Sequence, residues 1–105
     1  MFSQQDKAFM SEALELAQES YNYNEVPVGA IIVNNGKILG RGRNNVIINN
    51  DVTSHAEINA IKDASNNIQN YRLVNCQMYV TLEPCHMCAK AIIDSRLKSI
   101  IFSTL

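Results

Sequence analysis

Hydrophobic spacing divides the chain into seven periodic segments. From Ser3 to about Tyr21, Phe9, Ala13, Leu16 and Ala17 recur at helical intervals, and Ser3 with Asp6 forms a capping-box pattern, so an amphipathic helix is expected. Val28–Val33 is apolar and β-branched, the signature of a buried strand. Asn35-Gly36 is hairpin-turn chemistry and leads into a partner strand over Lys37–Gly42. Asn44–Val52 reads as a loop. A second helix begins at Thr53 or Ser54 and runs to about Ala64, with Ile58 and Ile61 inward. Cys76–Leu82 alternates Met78, Val80 and Leu82 against Tyr79 and Thr81, a strand. Pro84 suits the first turn of a third helix ending near Arg96, and Ser99–Ser103 forms a last short strand. Four Asn doublets, at 34–35, 44–45, 49–50 and 66–67, fall where segments stop and predict turns or caps.

The resulting order, α-β-β-α-β-α-β, predicts parallel strands in its second half and helices packed on a sheet. Its 105 residues suit one domain with a real core. Hydrophobic residues make up 47% and charged residues 18%, which argues against a disordered chain. No apolar run approaches a membrane span; the longest, Ala30–Val33, is strand-sized. The first ten residues lack the pattern of a signal peptide. A net charge of −1 leaves polyanion binding to local patches, such as Lys37, Arg41 and Arg43. Three cysteines, two of them three residues apart, point away from a disulfide scaffold and toward a cytoplasmic thiol or metal site.

Candidate chemistry lies at two helix starts, His55-Ala56-Glu57 and Pro84-Cys85-His86-Met87-Cys88. Cysteines at i and i+3 share a face and feel the positive end of the helix dipole, which favours thiolates and suits zinc. No second Cys/His pair is present to close a structural site. His55 as third ligand leaves a fourth position for water, the catalytic arrangement. Glu57 is then the candidate proton carrier, although residues at i and i+2 diverge within a helix. Other readings remain open from the residues alone. Ser54-x-x-Glu57 is itself a capping-box pattern, and Cys85-x-x-Cys88 before a helix suits a thioredoxin-like dithiol. Cys76 reads as core, and His86 should point away from the cysteine face.

The pairing of H-x-E with P-C-x-x-C is the zinc deaminase signature. Together with Glu25-Val26-Pro27-Val28-Gly29-Ala30, Thr53–Ile58, Asn70-Tyr71-Arg72-Leu73, Thr81–Cys85 and Ser95-Arg96, it closely resembles the bacterial tRNA-specific adenosine deaminases. The resemblance runs from the first helix to the end of the chain. It implies a cytidine-deaminase-like three-layer α/β/α sandwich and deamination of the wobble adenosine of a tRNA anticodon to inosine. It further implies one zinc per subunit and a cytoplasmic homodimer with tRNA lying across both subunits. By position, His55, Cys85 and Cys88 bind zinc, Glu57 shuttles protons and Asn44 contacts the flipped base.

Arg43, Val52 and Lys90 depart from the family's usual Trp, Pro and Gly. Family members also continue past the last strand here with a further strand and C-terminal helices, so residues 1–105 are expected to be the catalytic front of a longer enzyme. Two other functions follow from the same residues: deamination of free guanine, cytosine or deoxycytidylate, and an inactive zinc-binding remnant.

Overall fold

The computed structural model describes residues 2–103. Seven elements follow the expected order: α1 (Gln4–Asn22), β1 (Gly29–Asn34), β2 (Lys37–Arg43), α2 (Ala56–Ile68), β3 (Gln77–Val80), α3 (His86–Asp94) and β4 (Ser99–Phe102). The strands form one sheet in the order β2-β1-β3-β4. β1 is antiparallel to both of its neighbours, and β3 and β4 are parallel. Thus β2, β3 and β4 share a direction, as the alternating second half of the chain predicts, while β1 runs against them. The hairpin dictates this exception. Asn35 and Gly36 adopt φ of 51° and 77°, the left-handed pair that reverses a tight turn between β1 and β2. The connection through α2 then passes over β1 to reach β3.

Helices cover both faces of the sheet. One face packs Ala30, Ile32, Met78 and Val80 with Ala56, Ala60, Ala64 and Ile92, residues of α2 and α3. The other packs Ile31, Val33 and Tyr79 against Phe9, Met10 and Leu16 of α1. The chain therefore has the expected three layers. Because both faces are covered, the alternation in β3 separates two buried sides rather than core from solvent.

The capping box of α1 forms as expected, with Ser3 Oγ accepting from the Asp6 N–H at 3.0 Å and Asp6 Oδ2 accepting from the Ser3 N–H at 3.1 Å. Asp6 also accepts the Tyr79 hydroxyl, tying the start of α1 to β3.

Several boundaries differ from the sequence expectation. α2 starts at Ala56, with His55 as N-cap, and continues through Asn66-Asn67 to a left-handed Gln69. The doublet forms the exposed last turn of α2, where Asn67 Nδ2 donates to the Leu39 carbonyl of β2 at 2.7 Å, and the inward face of the helix is Ala56, Ala60 and Ala64. Ile61 only flanks the core, and Ile58 is half-buried. β3 ends at Val80 and Leu82 is exposed. Its partner strand begins at Gly29, and Val28 before it donates its N–H to the Val26 carbonyl at 2.9 Å rather than into the ladder. α3 starts at His86 with Cys85 as N-cap, so Pro84 lies just outside the helix.

Glycines in β2 set the position of α2. A Cβ on Gly42 would lie 2.3 Å from the Ala56 carbonyl oxygen and the Ala60 nitrogen, and one on Gly40 would lie 2.5 Å from the Ala64 nitrogen. Alanine facing glycine lets the helix backbone sit directly on the sheet. The first turn of α2, and with it His55 and Glu57, is held at a fixed depth.

Candidate active site

Two helix N-termini meet at one end of the sheet. His55 caps α2, Cys85 caps α3 and Cys88 is the third residue of α3. Side chains at an N-cap and at the third helical position gather over the helix end, as they do in a capping box. Neither His55 nor Cys85 uses its side chain for a cap hydrogen bond, so both are free for other work. The His55 Nδ1 lies 3.5 Å from Cys88 Sγ and 3.7 Å from Cys85 Sγ. All three donor atoms fall within 4.8 Å of one another.

These distances can be set against a metal. Tetrahedral zinc with bonds of about 2.3 Å to sulfur and about 2.1 Å to nitrogen requires N···S separations of about 3.6 Å. The residues present fit that requirement. One imidazole and two thiols are also the donor set that zinc accepts, with a fourth position left over. His86 is exposed and outside this group, as its place between the cysteines predicts. All three cysteines are free, and Cys76 is buried in the core.

Glu57 is 4% exposed in the first turn of α2. Burial pushes its carboxyl above the usual range, while the neighbouring His55 and Cys88 pull the other way. Burial also pushes the Cys88 thiol up, and the Glu57 carboxylate adds to that shift. A dication among these groups supplies the charge that such a thiolate requires. The divergence expected of i and i+2 does not apply here, because His55 is a cap residue and not within the helix. The Ser54–Glu57 capping box does not form. Ser54 Oγ instead accepts from Asn49 and Asn59 side chains at 3.0 and 3.1 Å.

The cap position at α2 is served from elsewhere. Asn44 Oδ1 accepts the Ala56 N–H at 2.7 Å. Asn44 is buried, and its backbone carbonyl accepts the Ser20 hydroxyl at 3.0 Å. Since its side-chain oxygen is committed to Ala56, Asn44 presents its amide nitrogen as a donor. Asn44, His55, Glu57 and Cys85 all line one cavity of about 430 Å³, walled further by Val28, Val46, Ile47, Val52 and Leu82. The space holds an acid, an amide donor, two of the three metal-type donors and apolar walls suited to a flat ring.

Two features escape sequence reasoning. Glu25 lines the same cavity, is 5% exposed and accepts backbone N–H groups of Ile47 and Ile48. Its sequence signals are its place at the head of the Glu25–Ala30 stretch that resembles the deaminases and a charge immediately before apolar Val26-Pro27-Val28. Arg43, a possible phosphate contact in sequence, is occupied: it pairs with Glu19 at 2.8 Å and lies over the Tyr23 ring at 4.7 Å.

Residues 3–104 match the family model of the cytidine and deoxycytidylate deaminase zinc-binding region. The chain belongs to this family. It is 52% identical over 102 residues to a tRNA-specific adenosine deaminase of Buchnera aphidicola subsp. Schizaphis graminum, covering 97% of this chain and 68% of that protein. A tRNA-specific adenosine deaminase of Haemophilus influenzae is 50% identical, with 95% of this chain and 58% of that protein covered. Among solved structures, a guanine deaminase from Bacillus subtilis superposes with a TM-score of 0.91 at 38% identity, covering 98% of this chain and 65% of that one. A structure from work on A-to-I editing by tRNA:A34 deaminases at the wobble position of transfer RNA superposes at 0.89 and 41%, covering 91% and 74%. The three-layer sandwich is therefore the deaminase fold, and the chain spans between 58% and 74% of the length of these proteins. Among the described residues, no helix is long and apolar enough to cross a membrane.

Proposed function

We propose that residues 1–105 form one zinc-dependent deaminase domain that hydrolyses the wobble adenosine of a tRNA anticodon to inosine. The observation that carries this reading is the convergence of His55, Cys85 and Cys88 at zinc-ligand spacing beside a buried Glu57. In this reading His55, Cys85 and Cys88 hold one zinc per subunit. When bound, the metal supplies a water acidified to near neutral pH. The choice of substrate rests on relatives that carry the name tRNA-specific adenosine deaminase.

The chain's own residues then divide the work. Glu57 takes the proton released by the attacking water and delivers it to the ring nitrogen of the base. It next takes the remaining proton from the newly added hydroxyl and gives it to the departing amine, so the C–N bond breaks and ammonia leaves. A carboxyl whose affinity for protons is raised by burial is suited to both receiving and giving one. Asn44 offers its amide N–H₂ to an acceptor on the base edge and fixes the ring in the cavity. Val28 and Val46 offer apolar wall to the ring. A base splayed from an anticodon loop enters such a cavity at lower cost than one drawn from a duplex. The free thiols suit a cytoplasmic enzyme, and a homodimer sharing tRNA across both subunits completes the proposal.

A second reading, deamination of a free base such as guanine, is favoured by the close superposition on a guanine deaminase. Supplying the zinc-loaded protein with an adenosine-bearing anticodon stem-loop and, separately, with guanine and cytosine separates the two. Inosine in the stem-loop supports the tRNA reading. Turnover of free base alone replaces it, and no turnover with zinc bound marks an inactive zinc-binding remnant.

A further inference from the structure

We propose that Glu25 is a positioning residue that holds open the wall of the substrate cavity through the backbone of Ile47 and Ile48. The inference rests on the deaminase reading of the cavity and concerns the shape of its mouth rather than the chemistry at the metal donors.

Ile47 donates its N–H to both carboxylate oxygens of Glu25, at 3.1 and 3.0 Å, and Ile48 donates to Oε2 at 2.9 Å. The carboxylate is buried, and among the described residues it has no cationic partner. A buried charge without a counter-ion is costly unless its hydrogen bonds are made, so the two peptide N–H groups are what holds it there. The dependence is mutual. Residues 46–50 form turns, and the side chains of Ile47, Ile48 and Val52 are exposed to solvent. Apolar packing therefore does little to fix this segment. Its amide groups at 47 and 48 have no other partner among the described hydrogen bonds.

The segment's other end is fastened from the same region of the fold. Ser20, in the last turn of α1, donates to the Asn44 carbonyl, and the Glu25 N–H donates to the Ser20 carbonyl at 2.9 Å. The end of α1 and the residues after it thus hold both Asn44 and the Ile47 wall. Glu25→Gln keeps the size of the side chain but turns one acceptor oxygen into a donor facing a peptide N–H. The wall should then move while the donors at the two helix starts stay in place.

The test compares the zinc-loaded parent with Glu25→Gln and Glu25→Ala. Hydrogen exchange at the Ile47 and Ile48 amides should accelerate by about tenfold or more in both variants, while the Ala56 amide, bonded to Asn44, keeps its protection. Zinc content should be unchanged. For inosine formation on an anticodon stem-loop, KM should rise by about tenfold and kcat should stay within about twofold, the signature of lost substrate positioning. Unchanged exchange at 47 and 48 overturns the clamp. A fall in kcat at constant KM, or a loss of zinc in Glu25→Gln, also overturns the assigned role. A parent protein that binds zinc but forms no inosine contradicts the proposed activity instead, and exchange at 47 and 48 then decides the clamp alone.

Discussion

Asn44 Oδ1 accepts the Ala56 N–H at 2.7 Å, so the end of β2 caps the helix that carries His55 and Glu57. One side chain thereby links helix position to the cavity. Its oxygen serves α2, and its amide nitrogen is left for the cavity that Asn44 lines. Asn44→Asp keeps the acceptor and removes the donor. It should retain the thermal midpoint within a few degrees and lose most inosine formation. Asn44→Ala removes both and should cost about 1–2 kcal/mol in addition. Thermal melts paired with the deamination assay check both outcomes.

Gly42→Ala should damage the site without touching a functional side chain. The added Cβ would meet the Ala56 oxygen and the Ala60 nitrogen at 2.3 Å, and both are backbone atoms that cannot turn aside. We expect a loss of about 1–3 kcal/mol or more from overpacking, with lowered zinc content because His55 shifts with α2. Urea unfolding and elemental analysis on the same sample measure the two effects.

Removal of metal should expose thiols in a defined number. Cys76 and Cys88 are 1% and 0% exposed, whereas Cys85 is exposed, and Cys85 and Cys88 belong to the proposed zinc set. The zinc-loaded protein should resist alkylation at all three cysteines. After chelation Cys85 should react while buried Cys76 and Cys88 stay protected in the folded protein, and the melting temperature should fall, because a ligand that binds only the folded state stabilises it. A Cys85–Cys88 disulfide in the protein as isolated would instead indicate a dithiol function. Mass spectrometry after alkylation counts the sites.

The Asp6–Tyr79 hydrogen bond should shape stability at both ends of the pH scale. The Tyr79 hydroxyl, with Ser3, holds the Asp6 carboxyl below its usual 3.8. That contribution is present above pH 3.8 and is lost as pH falls through the lowered value. Burial, helped by Asp6, pushes Tyr79 from 10.0 up to about 12. Its contribution is present below pH 10.0 and is lost as pH rises toward 12. Tyr79→Phe should lower the melting temperature at neutral pH and narrow the difference from the parent at both extremes. Melts across the pH range, compared with the parent, test this.

Much of this molecule is legible in the chain because its signals are local. The Ser3–Asp6 box, the Asn35-Gly36 turn and the alternation of Met78, Tyr79 and Val80 each act within a few residues. The spacing of Cys85 and Cys88 is local too, and His55 joins them through the fold. What stays hidden depends on contacts distant in sequence. Nothing near Gly42 shows that Ala56 and Ala60 press against it, so the inward face of α2 reads as isoleucine when it is alanine. Nothing near Glu25 announces the Ile47 and Ile48 amides, 22 and 23 residues away. The Asn66-Asn67 doublet carries a local stop signal, and the Asn67 hydrogen bond to Leu39, 28 residues away, accompanies the helix past it.

The central claim is that Glu57 moves the protons of an adenosine deamination at a His55–Cys85–Cys88 zinc site. Its most direct test is inosine formation on an anticodon stem-loop by the zinc-loaded parent and by Glu57→Ala. The account predicts inosine from the parent and a fall of about 10²–10⁴-fold in the variant at unchanged zinc content. Equal inosine formation by both proteins would contradict it.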